Sequence, residues 1–417
     1  MVPIEVRADG KSCIVVVRYM GTKRHMVTSV QRELSELAGS GRAVDLFSGM
    51  GSVAESMSEC DISVVTNDAL EFTACISRAR FLGKRRSRTV AAAIAGLRPH
   101  FEHAQHRLLA DASSVLHTEQ EALSGAAADL TAYLAKAKHV AGSAEARRLA
   151  RSASEASGLD HYRLAQLYFS AGYVSYRQAV EIDALRYAID LDGDMEIRDW
   201  YLASWLSAIS VLVNAPGHTA QFLRPNTEAA HARMVRTWGR SVWAEFLEAL
   251  GRTQQVGTSK WRSGNAVLVT DALDLVSSGR LRDIGVIYAD PPYTKDQYSR
   301  YYHLYETLYR YDYPDAHGIG RVRSDRFSTG FCLKSSVRAS FADLCRNIAR
   351  MEIPLVVSYP TGGLLDLTGT TFADVASRYF LDVRVTELDA LHSTMGASNG
   401  ASKKTATENL YVCTGRR

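Results

Sequence analysis

Short apolar runs alternate with stretches of helical spacing up to about Gly83. IVVVRYM (14–20) predicts a strand or edge segment, and RHMVTSVQRELSELA (24–38) repeats its apolar residues at helical intervals. AVDLF (43–47) predicts a buried strand ending in Ser-Gly-Met-Gly, and ISVVTND (62–68) a second strand ending in a carboxylate. FTACISRARFLG (72–83) reads as a helix with a glycine stop. The next block, 84–256, is rich in Ala, Leu, Arg and Glu, keeps helical spacing throughout and offers no convincing strand. Strand-like runs return in AVLVTDALDLV (266–276), IGVIYADPPY (284–293), IPLVVSYP (353–360) and NLYVCTG (409–415). Strands alternating with helices on both sides of a helical block predict one α/β domain, 1–83 with 257–417, interrupted by a large and mostly helical insert, 84–256.

Composition narrows the class. The 417 residues are 46% hydrophobic and 23% charged, enough apolar surface for a packed core. No apolar run approaches the roughly 20 residues of a membrane helix, and the N-terminal residues have no secretory core. The six cysteines include no C-x-x-C pair, which argues against a zinc cage or disulfide framework and fits a reducing, cytoplasmic setting. A net charge of +4 is too mild to identify a polyanion partner, so any such contact must come from a local patch.

DLFSGMGSV (45–53) sets Gly49 and Gly51 between a strand and a helix, where a bare backbone can approach a ligand. Asp45, Phe47 and Ser48 line the carboxyl end of that strand, the edge at which open α/β sheets bind ligands. The same sequence also suits a tight turn with no ligand. The loop lacks the G-x-x-x-x-G-K-[ST] phosphate cradle. Its strand carries a carboxylate, which suits an ammonium-bearing ligand. Asp68 ends the next strand, where a carboxylate can bind ribose hydroxyls or cap the following helix. Ammonium plus ribose points to S-adenosylmethionine.

Asp290-Pro291-Pro292-Tyr293 is the most specific signal. Two prolines fix φ, remove N–H groups and hold the preceding residues out of the helical region. The expected product is a stiff turn at a strand's end. There the Asp290 carboxylate and the Pro291 carbonyl can each accept an N–H of an exocyclic amine, while Tyr293 stacks on the base. Direct transfer to nitrogen requires neither a metal nor a nucleophilic cysteine.

With these motifs the sequence resembles the D12 class, or Dam-like, N6-adenine DNA methyltransferases. RYMGTKRHM (18–26) is similar to the family's N-terminal Gly-x-Lys segment, which implies cofactor contacts from Tyr19, Gly21 and Lys23. DLFSGMGSV is similar to its cofactor loop, with Leu46 in place of the usual proline. Asp68 matches the ribose carboxylate and DPPY the catalytic motif. VTDALDLV (269–276) resembles the cofactor-adenine segment, so that Asp271 would reach the adenine amine, unless it simply caps the strand end. The resemblance implies a Rossmann-like S-adenosylmethionine-dependent methyltransferase fold whose insert recognises double-stranded DNA, with base flipping; an enzyme paired with a cognate restriction endonuclease and one that stands alone are both open. RNA or cytosine-N4 methyl transfer, or a DNA-binding regulator that retains the fold, are the alternatives.

Tyr298, Tyr301, Tyr302, Tyr305 and Tyr309 follow DPPY. They read as core filler on an amphipathic helix, with Tyr298 and Tyr301 the better placed to line a base pocket. His303 and Glu306 read as a solvated or capping pair, with a general-base role as the alternative. GRVRSDRFSTGFCLKSS (320–336) predicts a flexible basic loop whose Arg321, Arg323, Arg326 and Lys334 bind phosphates. Lys403 and Lys404 form a similar loop, and KRRSR (84–88) adds another basic run. Each of these equally suits a solvated surface. Base reading is expected from Arg, Asn and Gln on insert helices, with Gln221, Arg224 and Asn226 as examples.

Overall fold

The computed structural model describes residues 17, 26–83, 88–137, 144–392 and 404–417. The segment 14–20, expected as a strand, lies outside these residues except for Val17, which is buried. The described strands are β1 (Arg42–Asp45), β2 (Val64–Asp68), β3 (Ala266–Val269), β4 (Ile284–Ala289), β5 (Ala316–His317), β6 (Val322–Arg323), β7 (Leu355–Pro360), β8 (Phe380–His392) and β9 (Lys404–Arg416).

The chain divides into two units. The first holds the described residues of Gly21–Arg85, Gln255–Ser299 and Phe327–Arg417. Its seven-stranded sheet runs β3-β2-β1-β4-β7-β9-β8. Neighbours from β3 to β7 are parallel, and β9 is antiparallel to both β7 and β8. The two-residue period of a strand sends alternate side chains to opposite faces. Val44, Val65, Ile287 and Val357 pack on one face with Phe341, Leu344 and Ile348 of the helix Val337–Arg350. Ala43, Val64, Val286 and Val356 pack on the other with Val30 and Leu34 of the helix Val27–Leu37. Both faces are therefore covered, which is why the central strands read as unbroken apolar runs. Gly285 admits a close backbone approach at the start of β4, where a Cβ would lie 1.8 Å from the carbonyl oxygen of Ala38.

Two expectations need adjustment in this unit. Only the first part of 266–276 is a strand, because the chain turns at Asp271 into the helix Ala272–Ser277. β8 carried no recognisable strand signal. It is an edge strand, with Leu381 65% and Val385 44% exposed and charged residues along its length.

The second unit holds the described residues of Met1–Met20, Arg86–Gln254 and Arg300–Arg326. The helix Tyr176–Leu191 is buried on most of its surface and packs against the helices Val90–Ala110 and Met195–Leu212. The stretch Arg300–Arg326 belongs with these helices, although the sequence division placed it with the sheet. The physical reason is a set of buried polar clamps. Arg186 Nη1 donates to the carbonyls of Leu308 at 2.9 Å and Tyr309 at 3.0 Å. The Tyr311 hydroxyl donates to Asp183 Oδ1 at 2.6 Å, and burial pushes that carboxyl up to about 6. Arg321 donates to the carbonyls of Tyr168, Ser170 and Ala171. Each clamp satisfies a group that would be costly to bury alone.

Candidate active site

The order of the parallel strands reverses direction between β1 and β4, and at such a switch point open α/β sheets bind ligands at the strands' carboxyl ends. Asp45 ends β1, Asp68 ends β2 and Asp290 follows β4. The sheet therefore brings together three carboxylates that the sequence spreads over 45–290.

Hydrogen bonds fix the loop between Asp45 and the helix Ser52–Met57. Ser48 N–H donates to the Asn67 carbonyl at 2.9 Å, and Gly51 N–H to that of Ser48 at 2.7 Å. Gly49 N–H donates to Asp68 Oδ2 at 3.0 Å, and Leu70 N–H to Asp68 Oδ1 at 3.0 Å. Asp68 thus holds the glycine loop as well as the entry to the next helix. Gly51 has φ +75°, and a Cβ there would lie 2.4 Å from the Phe81 ring. Phe47 is half-buried and meets Phe331 edge-on, with ring centroids 5.5 Å apart.

Three supporting residues carried no signal in the sequence. Asn67 Nδ2 donates to the carbonyls of Leu46 and Thr270, each at 3.1 Å, and so ties the ends of β1 and β3 to β2. Arg80 pairs with Glu55 at 2.9 Å and donates to the Met50 carbonyl at 3.3 Å, bracing the loop from behind. Ser358 of β7 donates to Asp290 Oδ1 at 3.1 Å, and its hydroxyl lies 2.8 Å from that of Tyr288. No motif spacing could have joined β4 to β7 in this way.

Asp45 is 5% exposed, and its Oδ1 has no hydrogen-bond partner. Burial, and then the charges of Asp290 and Asp68, push its carboxyl up to about 8 against the opposing N–H of Phe47. A buried, unpartnered oxygen is a costly arrangement. Asp45 stands beside two other carboxylates at the carboxyl edge of the sheet. Burial also raises the Asp68 carboxyl, opposed by the N–H groups of Leu70 and Gly49.

Pro291 is buried and Pro292 half-buried. Tyr293 packs partly against the core, and its carbonyl accepts the Leu364 N–H at 2.9 Å. These contacts fix both ends of the Asp290–Tyr293 turn. Asp271 Oδ1 accepts the N–H groups of Leu273 at 2.7 Å and Asp274 at 3.3 Å, so this side chain caps the helix Ala272–Ser277.

Several expected phosphate contacts are engaged elsewhere. Arg321 is buried on three carbonyls, and burial brings its pKa down to about 10. Arg323 is 1% exposed and pairs with Asp312 and Asp325. Both sit on or beside the β5–β6 hairpin, whose folding converts the predicted flexible loop into core. Arg88 pairs with Asp192 at 2.6 Å. Arg326 is half-buried and Lys334 exposed. Lys404 lies in β9 opposite His392. Tyr19, Gly21, Lys23 and Lys403 lie outside the described residues, as does 84–87.

The residues after the turn are also more buried than expected. His303 is fully buried and Glu306 nearly so, which corrects their reading as a solvated pair. His303 Nε2 lies 2.7 Å from the Thr219 carbonyl, and desolvation brings its pKa down to about 3. The ring is therefore neutral and donates from Nε2. Tyr301, Tyr302 and Tyr305 are buried, whereas Tyr298 and Tyr309 are half-buried.

Among the described residues, no group of three His, Cys, Asp or Glu side chains could hold a metal ion, and no helix is long and apolar enough to cross a membrane. Burial pushes the thiols of Cys332 and Cys413 up to about 12.

Residues 267–357 match the family model of the D12 class N6 adenine-specific DNA methyltransferases. The chain is similar to modification methylase LlaI of Lactococcus lactis subsp. lactis, at 23% identity over 408 residues, covering 95% of this chain and 54% of that protein. It is also similar to the type II methyltransferase M.FokI of Planomicrobium okeanokoites, at 23% identity over 359 residues, covering 84% of this chain and 45% of that protein. The chain thus spans about half the length of the curated relatives it matches.

Proposed function

We propose, for a chain whose residues 267–357 match the family model of the D12 class N6 adenine-specific DNA methyltransferases, transfer of a methyl group from S-adenosylmethionine to the N6 amine of adenine in double-stranded DNA. The observation that carries this reading is the convergence of Asp45, with its unpartnered buried oxygen, and Asp290 at one edge of the sheet. A cation is received on one strand end and an amine acceptor stands on the next.

Asp45 Oδ1 suits the ammonium of the cofactor's methionine part, and the backbone from Phe47 to Gly51 lies beside it. Asp68, at the end of β2, would take ribose hydroxyls with the acceptor capacity that the Gly49 and Leu70 N–H groups leave over. Asp271 would take the cofactor adenine's amine with the oxygen that the helix cap leaves over. When bound, the cofactor supplies an electrophilic methyl on sulfur.

An adenine flipped from the duplex would stack on Tyr293 and donate its two N6 protons to Asp290 and the Pro291 carbonyl. Both acceptors aim the nitrogen's lone pair at the methyl carbon. The new N–C bond forms as the C–S bond breaks, sulfur keeps the electron pair, and the extra proton on nitrogen leaves to water. Ser358 holds Asp290 Oδ1 from behind at 3.1 Å, so the carboxylate is oriented before the base arrives. The helical unit would hold the DNA, and a cognate restriction endonuclease is the natural counterpart of such an activity.

Incubation with methyl-labelled S-adenosylmethionine and either duplex DNA or RNA, followed by nucleoside analysis, tests the reading. N6-methyladenine from DNA is expected. Label in N4-methylcytosine or in RNA alone would replace it with one of the other amine substrates, and no label with cofactor bound would favour a non-catalytic regulator.

Asp45 also predicts a pH dependence. Its carboxyl, ordinarily near 3.8, stands at about 8 in the ligand-free fold. Between these values the folded chain holds a proton that the unfolded chain has lost, so Asp45 makes ligand-free stability fall as pH rises from about 4 to about 8. An ammonium ligand requires the ionised form. Cofactor affinity should therefore rise by up to roughly tenfold per pH unit as the pH approaches about 8 from below. Calorimetric titration at several pH values checks this, and Asp45→Asn should flatten the profile. An equally steep profile in the variant would remove Asp45 as its source.

A further inference from the structure

We propose that the loop of residues 213–227 in the helical unit reads the target DNA sequence, and that Thr219 binds this loop to the chain leaving the catalytic turn. The inference rests on the DNA methyltransferase reading above.

The loop joins the helix Met195–Leu212 to the helix Glu228–Trp238 and is pinned at several points. Buried Asn214 donates from Nδ2 to the carbonyls of Gly172 at 3.2 Å and Leu223 at 2.7 Å. Leu223 N–H returns to the Asn214 carbonyl at 3.0 Å. The Phe222 ring meets Tyr173 edge-on at 5.4 Å, and the Arg321 guanidinium lies 5.5 Å from its centroid. Gly172 makes room for that ring, since a Cβ there would come within 2.7 Å of it. Pro225 is buried and biases Arg224 towards an extended backbone.

Between these pins, Gln221, Arg224 and Asn226 are exposed, and no hydrogen bond or ion pair holds their side chains among the described residues. They lie on a loop, whereas the sequence reading had assigned base recognition to helices. Their head groups have the planar two-point geometry that reads base edges: Arg against guanine O6 and N7, Asn or Gln against adenine N6 and N7. The loop itself contains no Asp or Glu, and Arg224 is its only Lys or Arg; the next acidic side chain is the exposed Glu228, which opens the following helix. Holding such groups outward on a stiff root reduces the ordering cost of recognition.

The same loop is bonded to residues that follow the catalytic turn in sequence. The Thr219 N–H and Oγ1 both donate to the Tyr301 carbonyl, at 2.6 and 2.7 Å. The Thr219 carbonyl accepts from the Tyr173 hydroxyl at 2.6 Å and from His303 Nε2 at 2.7 Å. His218 stacks on Tyr301, with ring centroids 4.9 Å apart and planes 15° from parallel. A shift of the loop therefore carries Tyr301 and His303 with it. Thr219 acts as a positioning residue.

Methylation of a random-sequence duplex library, with methylated adenines mapped by sequencing, tests the inference. Wild-type protein is expected to return a defined motif. Arg224→Ala, and also Arg224→Lys, which keeps the charge but loses the fork, should relax discrimination at one base pair by roughly tenfold. Gln221→Ala and Asn226→Ala should relax others. Thr219→Val should keep the motif and lower kcat more than it raises KM. A motif unchanged in every loop variant, or binding weakened equally on all sequences, would overturn the reading role while leaving methyl transfer intact. No methylation by wild-type protein on any DNA would instead overturn the reading on which it rests.

Discussion

Asp290→Ala is expected to lower methyl transfer by about a thousandfold or more, with cofactor affinity retained or raised. The substitution removes an acceptor from the amine nitrogen and frees the Ser358 hydroxyl, which now donates to Asp290 at 3.1 Å. It leaves the glycine loop untouched. Removing a neighbouring negative charge should also ease ionisation of Asp45, whose raised pKa owes its second-largest contribution to Asp290. Asp290→Asn keeps one acceptor oxygen and should retain more activity than the alanine variant. Single-turnover rates with saturating cofactor and DNA measure the effect. Near-normal rates in Asp290→Ala would show that the turn does not hold the amine.

Gly51→Val is expected to weaken cofactor binding by about a hundredfold. Two penalties combine. A β-branched residue at φ +75° is strained by roughly 1–2 kcal/mol. Its Cβ would also stand 2.4 Å from the Phe81 ring, which is fully buried and packs edge-on against Trp261 at 6.2 Å. Phe81 cannot yield without disturbing that core, so the loop must move instead. Calorimetric titration with S-adenosylhomocysteine, alongside thermal unfolding, separates loss of the loop from loss of the fold. Affinity within about threefold of wild type would mean that the loop does not contact the ligand.

Much of the sheet was legible because its central strands are buried on both faces and so appear as uninterrupted apolar runs. β8 was not, because an edge strand mixes charged and apolar residues without a clean period. Asp45, Gly51, Asp68 and Asp290 could be singled out because their chemistry follows from their own local sequence. Asn67, Arg80 and Ser358 could not, since each acts across strands that are distant in sequence. Arg321 and Arg323 show the opposite failure. Their charge and their Ser-, Thr- and Gly-rich surroundings suggested solvent, yet three carbonyls and two carboxylates hold them inside a helical unit. Composition cannot distinguish a guanidinium that awaits a phosphate from one that already has its partners.

The helical unit is assembled from pieces on either side of β4 and the Asp290–Tyr293 turn. That arrangement sets an order of events at the ribosome. The large piece, Arg86–Gln254, emerges before Arg300–Arg326 and so lacks the Tyr311 hydroxyl for Asp183, the Leu308 and Tyr309 carbonyls for Arg186, and the Arg321 guanidinium for the carbonyls of Tyr168, Ser170 and Ala171. Those partners arrive only after β4 and the turn have been synthesised. The nascent helices therefore cannot complete their buried polar network before the catalytic strand exists, and a chain arrested between the two pieces should expose that network to quality-control proteases.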